Sequence, residues 1–156
     1  MRAIGAGLVA GAAIGLLLTG CGGGGDAKST SITSTSKQPT EFNVTLEGGA
    51  EVPGPGDLGG SGTAQITVDP HGTQICYSLS VAGINGVNAA HIHEGQPGTV
   101  GPIAVTLAAP TTGHSEACAD ATASVIKALS SGTRAFYVDF HSTGFPDGAV
   151  RAQLTG

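Results

Sequence analysis

Beyond residue 40 the chain alternates apolar and polar positions in short runs, the period of a half-buried β-strand rather than of a helix. Phe42, Val44 and Leu46 are separated by Asn43 and Thr45, and Ala64, Ile66 and Val68 repeat the pattern. Ile75, Tyr77, Leu79 and Val81, interleaved with Cys76, Ser78 and Ser80, form the cleanest run. Ile103 to Leu107, Ala135 to His141 and Ala149 to Leu154 follow. Turn formers punctuate the series: Pro53-Gly54-Pro55-Gly56, Asp69-Pro70-His71-Gly72, Pro97-Gly98, Pro110 to Gly113 and Pro146-Asp147-Gly148. Short alternating strands at this spacing predict an all-β fold, an antiparallel Greek-key β-sandwich or barrel. One stretch breaks the period. Val125, Ile126 and Leu129 stand at helical spacing within Ala121 to Leu129, and Asp120 or Thr122 is available as N-cap, which predicts one short helix in a long connection.

The first 40 residues have a different texture. Met1 and Arg2 precede an uncharged Gly/Ala/Leu/Ile/Val run from Ala3 to Leu18, too short and glycine-rich for a membrane span and fitting a secretory signal. It ends in Leu18-Thr19-Gly20-Cys21, which resembles the lipobox of bacterial lipoproteins. That resemblance implies cleavage before Cys21, acylation of its thiol and anchoring to a membrane through lipid; stable attachment needs more than one acyl chain. Four glycines and a Ser/Thr-rich stretch then run to Thr40 with almost nothing to bury. The expected organisation is a signal peptide over 1–20, an acylated cysteine and disordered tether over 21–40, and one β-domain over 41–156, large enough for a single core. An exported domain on a lipid anchor belongs to the bacterial cell envelope.

Charge narrows the partners. The chain carries 6 Lys and Arg against 11 Asp and Glu, with no basic cluster. Nucleic acid and anionic headgroups both require clustered cations, so neither is an expected partner. A protein or glycan of the envelope is the expected class, with no identity readable from the sequence. Once Cys21 is assigned to lipid, Cys76 and Cys118 remain. In an exported domain an even count reads as a disulfide, closing a loop of about 40 residues, with two buried free thiols as the alternative.

Candidate chemistry centres on histidine. Asn88-Ala89-Ala90-His91-Ile92-His93-Glu94-Gly95 places two imidazoles two residues apart, on one face of a strand, with Cα atoms about 6.5–7 Å from each other. In Ala135 to His141, Phe136, Val138 and Phe140 take the core side, leaving Tyr137, Asp139 and His141 on the other. If the two strands are neighbours, His91, His93 and His141 converge off the core, where three neutral imidazoles suffice to hold copper or zinc. Glu94 and Asp139 are candidates to orient the ligands from behind. The alternative is a set of structural hydrogen bonds fixing a loop to the sheet.

The ordered motifs resemble the CHRD domain first described in chordin. They are Leu46-Glu47-Gly48-Gly49-Ala50-Glu51-Val52-Pro53, Gly62-Thr63-Ala64, Ala89 to Gly95, Gly98 through Leu107, Phe136 to His141, and Pro146-Asp147-Gly148-Ala149-Val150-Arg151-Ala152-Gln153-Leu154. The resemblance spans about Phe42 to Leu154 and implies an all-β domain, immunoglobulin-like or superoxide-dismutase-like. The His-x-His and the later histidine are also similar to the copper ligands of copper/zinc superoxide dismutases. Carried over, that similarity makes His91, His93 and His141 metal ligands and copper the implied ion. The chain departs from those enzymes in lacking an evident bridging histidine, a zinc half-site and an arginine clearly placed to guide an anion.

Other chemistry has no footing. Ser78 and Ser80 have no Gly-x-Ser-x-Gly elbow, and Glu47, Glu51 and Glu94 are scattered. Gly59 to Gly62 is followed by neither lysine nor helix, as a phosphate loop would be. His71 reads as a solvated turn residue and His114 as a loop residue. Glu51 reads as a carboxylate bonding amides of the Pro-Gly turn, and Tyr137 and Arg151 as surface partners. The expectation is a non-enzymatic binding or structural module without catalytic residues, with a mononuclear three-histidine copper site as the alternative.

Overall fold

A computed structural model describes residues 37–155. The signal segment, Cys21 and all of the tether before Lys37 lie outside the described residues. Eight strands follow one another: β1 (Thr40–Glu47), β2 (Ser61–Val68), β3 (Gln74–Ala82), β4 (Val87–Glu94), β5 (Ile103–Leu107), β6 (His114–Asp120), β7 (Phe136–Ser142) and β8 (Val150–Leu154). They form one antiparallel sheet in the order β5-β4-β7-β8-β1-β2-β3-β6. The two end strands approach each other, and Ser115 Oγ on β6 donates to the Ala108 carbonyl just beyond β5. The sheet is therefore a nearly closed barrel, whose β3-to-β4 and β6-to-β7 connections cross over as in a Greek key.

The barrel interior takes one residue in two from each strand. Leu46, Ile66, Val68, Ile75, Leu79, Ile92, Val138, Phe140 and Val150 are fully buried there, as the alternation requires. The helix α1 (Ala123–Ser131) packs Val125, Ile126 and Leu129 into the same core. It begins two residues later than the pattern suggests because Thr122 caps it, its hydroxyl accepting the Val125 N–H at 3.3 Å. Gly132, in the left-handed region at φ 64°, ends it.

Three features depart from the sequence expectations. The first strand starts at Thr40, inside the expected tether, and Lys37 donates to the Ser130 carbonyl. Residues 114–120, expected as connection, form β6. Its inward positions are Ser115, Ala117 and Ala119, too small and too weakly apolar to show the period of two. His114 consequently begins an edge strand, its Nδ1 3.2 Å from Ser80 Oγ, instead of sitting in a loop.

Cys76 and Cys118 stand directly opposite each other in the β3–β6 register and are bridged, 42 residues apart in sequence. Closing a loop of that length removes about 4 kcal/mol worth of freedom from the unfolded chain. Reduction, or the double replacement Cys76→Ala/Cys118→Ala, is expected to lower the thermal midpoint by roughly 10 °C or more. Equal midpoints for oxidised and reduced protein in a calorimetric scan would show that the ladder alone holds β6.

Candidate metal centre

The site lies on the outer face of β4 and β7, which pair antiparallel. The register sets Ala89 opposite His141, His91 opposite Asp139 and His93 opposite Tyr137. Directly opposed residues share a face, so alternation brings His91, His93, Asp139 and His141 together on the side away from the core. One donor atom from each of the four residues falls within 4.8 Å of the others. His93 Nε2 is 3.2 Å from Asp139 Oδ2, His141 Nε2 is 3.3 Å from Asp139 Oδ1, and His91 Nδ1 is 3.8 Å from that same oxygen.

Although on the outside of the sheet, the cluster is hardly wet. Asp139 is 3% exposed and His93 8%. The cover comes from the segment between β4 and β5, residues 95–102. It is tied down at several points: Glu94 N–H donates to Pro102 O, Gly95 N–H to Ala135 O, and Gln153 Nε2 to Gly95 O. Gly101 must be glycine, because a Cβ there would run into the Glu94 carbonyl. On the other side the turn before β8 contributes the Pro146 carbonyl.

Two backbone carbonyls decide what the imidazoles can do. A carbonyl only accepts, so the 2.8 Å contact between His93 Nδ1 and Gly101 O makes Nδ1 the donor. The 2.9 Å contact between His141 Nδ1 and Pro146 O does the same. In the neutral rings both Nε2 lone pairs are then bare and aimed into the cluster. His91 Nδ1, His93 Nε2, His141 Nε2 and Asp139 Oδ1 are all buried, and none has a hydrogen-bond partner outside the cluster. Four buried donor atoms facing one point, with no partner beyond one another, form a set that a cation would satisfy.

Electrostatics agrees. Burial works against the charged form of Asp139, but His141 and His93 outweigh it and hold its pKa below the usual value. Contact with Asp139 raises His141 above the usual histidine value against its burial, and the Pro146 carbonyl helps. For His93 burial opposes protonation, yet Asp139 and the Gly101 carbonyl prevail and its pKa is raised. His91 goes the other way: burial, with the neighbouring His141 and His93, lowers it despite Asp139.

Of the residues singled out from the sequence, His91, His93 and His141 come together as expected. Asp139 does more than support His141, since it touches all three imidazoles. Glu94 does not join: it points the other way along the alternation and pairs with Arg134. Glu51 stays at the Pro-Gly turn, beside the Val52 amide and Gly56, but its carboxyl is buried. It is 5% exposed, folded inward against Gly56 and Gly148, and Oε1 has no partner. Burial, then the nearby Asp139 charge, pushes its pKa up to about 7. Tyr137 and Arg151 are not at the surface; both are buried under the 95–102 segment. Glu51 and Arg151 were not legible as neighbours of the site because they reach it from β1's end and from β8, and sequence does not state that adjacency.

The family model for the CHRD domain matches residues 42–154. The chain belongs to the CHRD family. The match covers every strand except the first residues of β1, so the four-residue cluster sits wholly within the CHRD domain. No curated protein and no solved structure matched the chain.

Glu51 offers a test of these electrostatics through stability. A carboxyl that titrates near 7 when folded and at 4.5 otherwise keeps its proton longer in the folded state, so stability falls as pH rises through that window. Glu51→Gln is expected to melt higher than wild type at pH 7, in chelator, with the difference fading below pH 4.5. A difference that is constant across the titration would remove Glu51 from the buried acids.

Proposed function

We propose that this CHRD domain is a non-enzymatic metal-binding module that holds one first-row transition-metal ion, copper(II) by preference. The ligands are His91 Nδ1, His93 Nε2, His141 Nε2 and Asp139. The reading is carried by one observation: these four buried atoms face one another with no hydrogen-bond partner outside the cluster, while the far nitrogens of His93 and His141 are already engaged by backbone carbonyls. Three imidazoles and a carboxylate are borderline donors, suited to copper and zinc and unsuited to calcium or magnesium, which take oxygen. Copper(II) heads the affinity order of the divalent ions for such a donor set. Metal–nitrogen bonds of about 2.0–2.1 Å would require the four donor atoms, which lie within 4.8 Å of one another, to draw closer. Asp139 as a fourth ligand would fill the position that a redox site keeps open for substrate, which favours holding the ion over turning it over.

The Leu18-Thr19-Gly20-Cys21 sequence supports a location for the module: exported to the bacterial cell envelope, with lipid on Cys21 anchoring it to a membrane and a tether carrying the domain. An envelope protein or glycan as a further partner fits that address.

Two measurements test these statements. Purified domain incubated with Cu(II) and desalted is expected to retain one ion per chain, and His141→Ala to lose affinity about 100-fold or more, judged against a competing chelator. Wild-type protein that retains no metal would end the metal-binding reading. Cys21→Ser is expected to move the protein from the membrane to the soluble fraction; unchanged membrane association would exclude the lipid anchor.

A further inference from the structure

Tyr137 lies on the outer side of β7, yet it is only 2% exposed and takes no part in the barrel core. One face of its ring is stacked on His93, its partner across the β4–β7 register: the planes are 6° apart and the centroids 4.8 Å. The Arg151 guanidinium lies over the ring, 3.4 Å from the centroid, an arrangement favoured by the ring's quadrupole. Arg151 is itself buried, at 3% exposure, and its charge is solvated by the covering segment: Nη1 donates to Thr99 O at 2.9 Å and Nη2 to Gln96 O at 3.1 Å. The Tyr137 hydroxyl accepts the Gly101 N–H at 3.2 Å.

These contacts close on a single residue. Gly101 gives its N–H to Tyr137 and its carbonyl to His93 Nδ1. Tyr137 therefore acts on His93 twice, through the stacked ring and through the carbonyl that selects the tautomer. The Gly95 backbone runs close beside the same ring, since a Cβ added there would lie 3.1 Å from Tyr137 Cε1.

We propose that Tyr137, clamped by Arg151, is a positioning residue for the metal ligand His93, holding its ring plane by stacking and its Nδ1–H tautomer through Gly101. The inference rests on the metal-binding reading above and deepens it. Tyr137 does not touch the ion. It fixes the direction of the His93 Nε2 lone pair, and partners of this kind typically change metal affinity about 10- to 100-fold.

The test uses the full chain and compares Tyr137→Phe, which keeps the ring and deletes the hydroxyl, with Tyr77→Phe. Tyr77 also accepts a backbone N–H, that of Ala108 at 2.7 Å, but it lies in the core away from the cluster, so its variant reports the structural loss of one such bond. Two readouts are taken on each. In the Cu(II)-loaded protein, electron paramagnetic resonance and chelator competition are expected to show an altered copper spectrum and affinity about 10-fold weaker for Tyr137→Phe, with Tyr77→Phe like wild type. In the metal-free protein, long-range proton–nitrogen spectra are expected to report a protected Nδ1–H on His93 that exchanges faster in Tyr137→Phe alone. Either change, confined to Tyr137→Phe, supports the proposal. Both readouts unchanged, or an equal change in Tyr77→Phe, overturns it. A wild-type chain without copper would refute the metal reading instead, and the metal-free spectra still decide the role of Tyr137.

Discussion

The pairing of β4 with β7, in the register that puts His91 opposite Asp139, is the constraint on which the rest of this molecule depends. A strand alternates its faces every residue, so a slip of β4 by one position would carry Ile92 out of the barrel and the imidazoles of His91 and His93 into it. The fully buried apolar residues thus lock the register from inside, and the polar cluster outside is a consequence of that lock. Fold and site are not separate achievements of this sequence: the residues that make the core and the residues that face the cluster are interleaved on the same two strands.

What gathers on the outer face is a carboxylate out of water among three imidazoles. Asp139 at that depth requires positive charge nearby. Protons on His93 and His141 can supply it, which is why their pKa values rise, and a metal ion can supply it in their place. Backbone carbonyls at Gly101 and Pro146 tip the balance, because they hold the outer nitrogens protonated and leave the inner lone pairs facing the cluster. A buried second acid, Glu51, and the buried Arg151 complete the surroundings, and neither shares in the four-atom cluster.

The covering segment 95–102 turns a patch on a sheet into an enclosed site. It is held by side chains of β7 and β8, among them Tyr137, Arg151 and Gln153, and it returns one carbonyl to His93. Arg151 shows how far burial changes a residue's meaning. At a surface its stacking on Tyr137 would contribute little; under the loop, with its charge spent on the carbonyls of Gln96 and Thr99, it joins β8 to the segment whose Gly101 carbonyl bonds His93.

The alternation of Phe42, Leu46, Ile66, Leu79 and Val138 with polar residues was sufficient by itself to determine an antiparallel all-β domain, because burial on one face of a strand writes a period of two into the chain. The same period determined that His91 and His93 share a face, and that Tyr137, Asp139 and His141 share another. The helix was legible through Val125, Ile126 and Leu129, whereas β6 was not, since its inward residues are small. Only the tertiary structure decided that the two polar faces meet, that Asp139 stands at the centre of the histidines, and that Glu51, Tyr137 and Arg151 are buried beside them. Strand order, loop cover and depth arise from contacts between residues far apart in the chain, and a local pattern of apolar and polar positions carries no record of them.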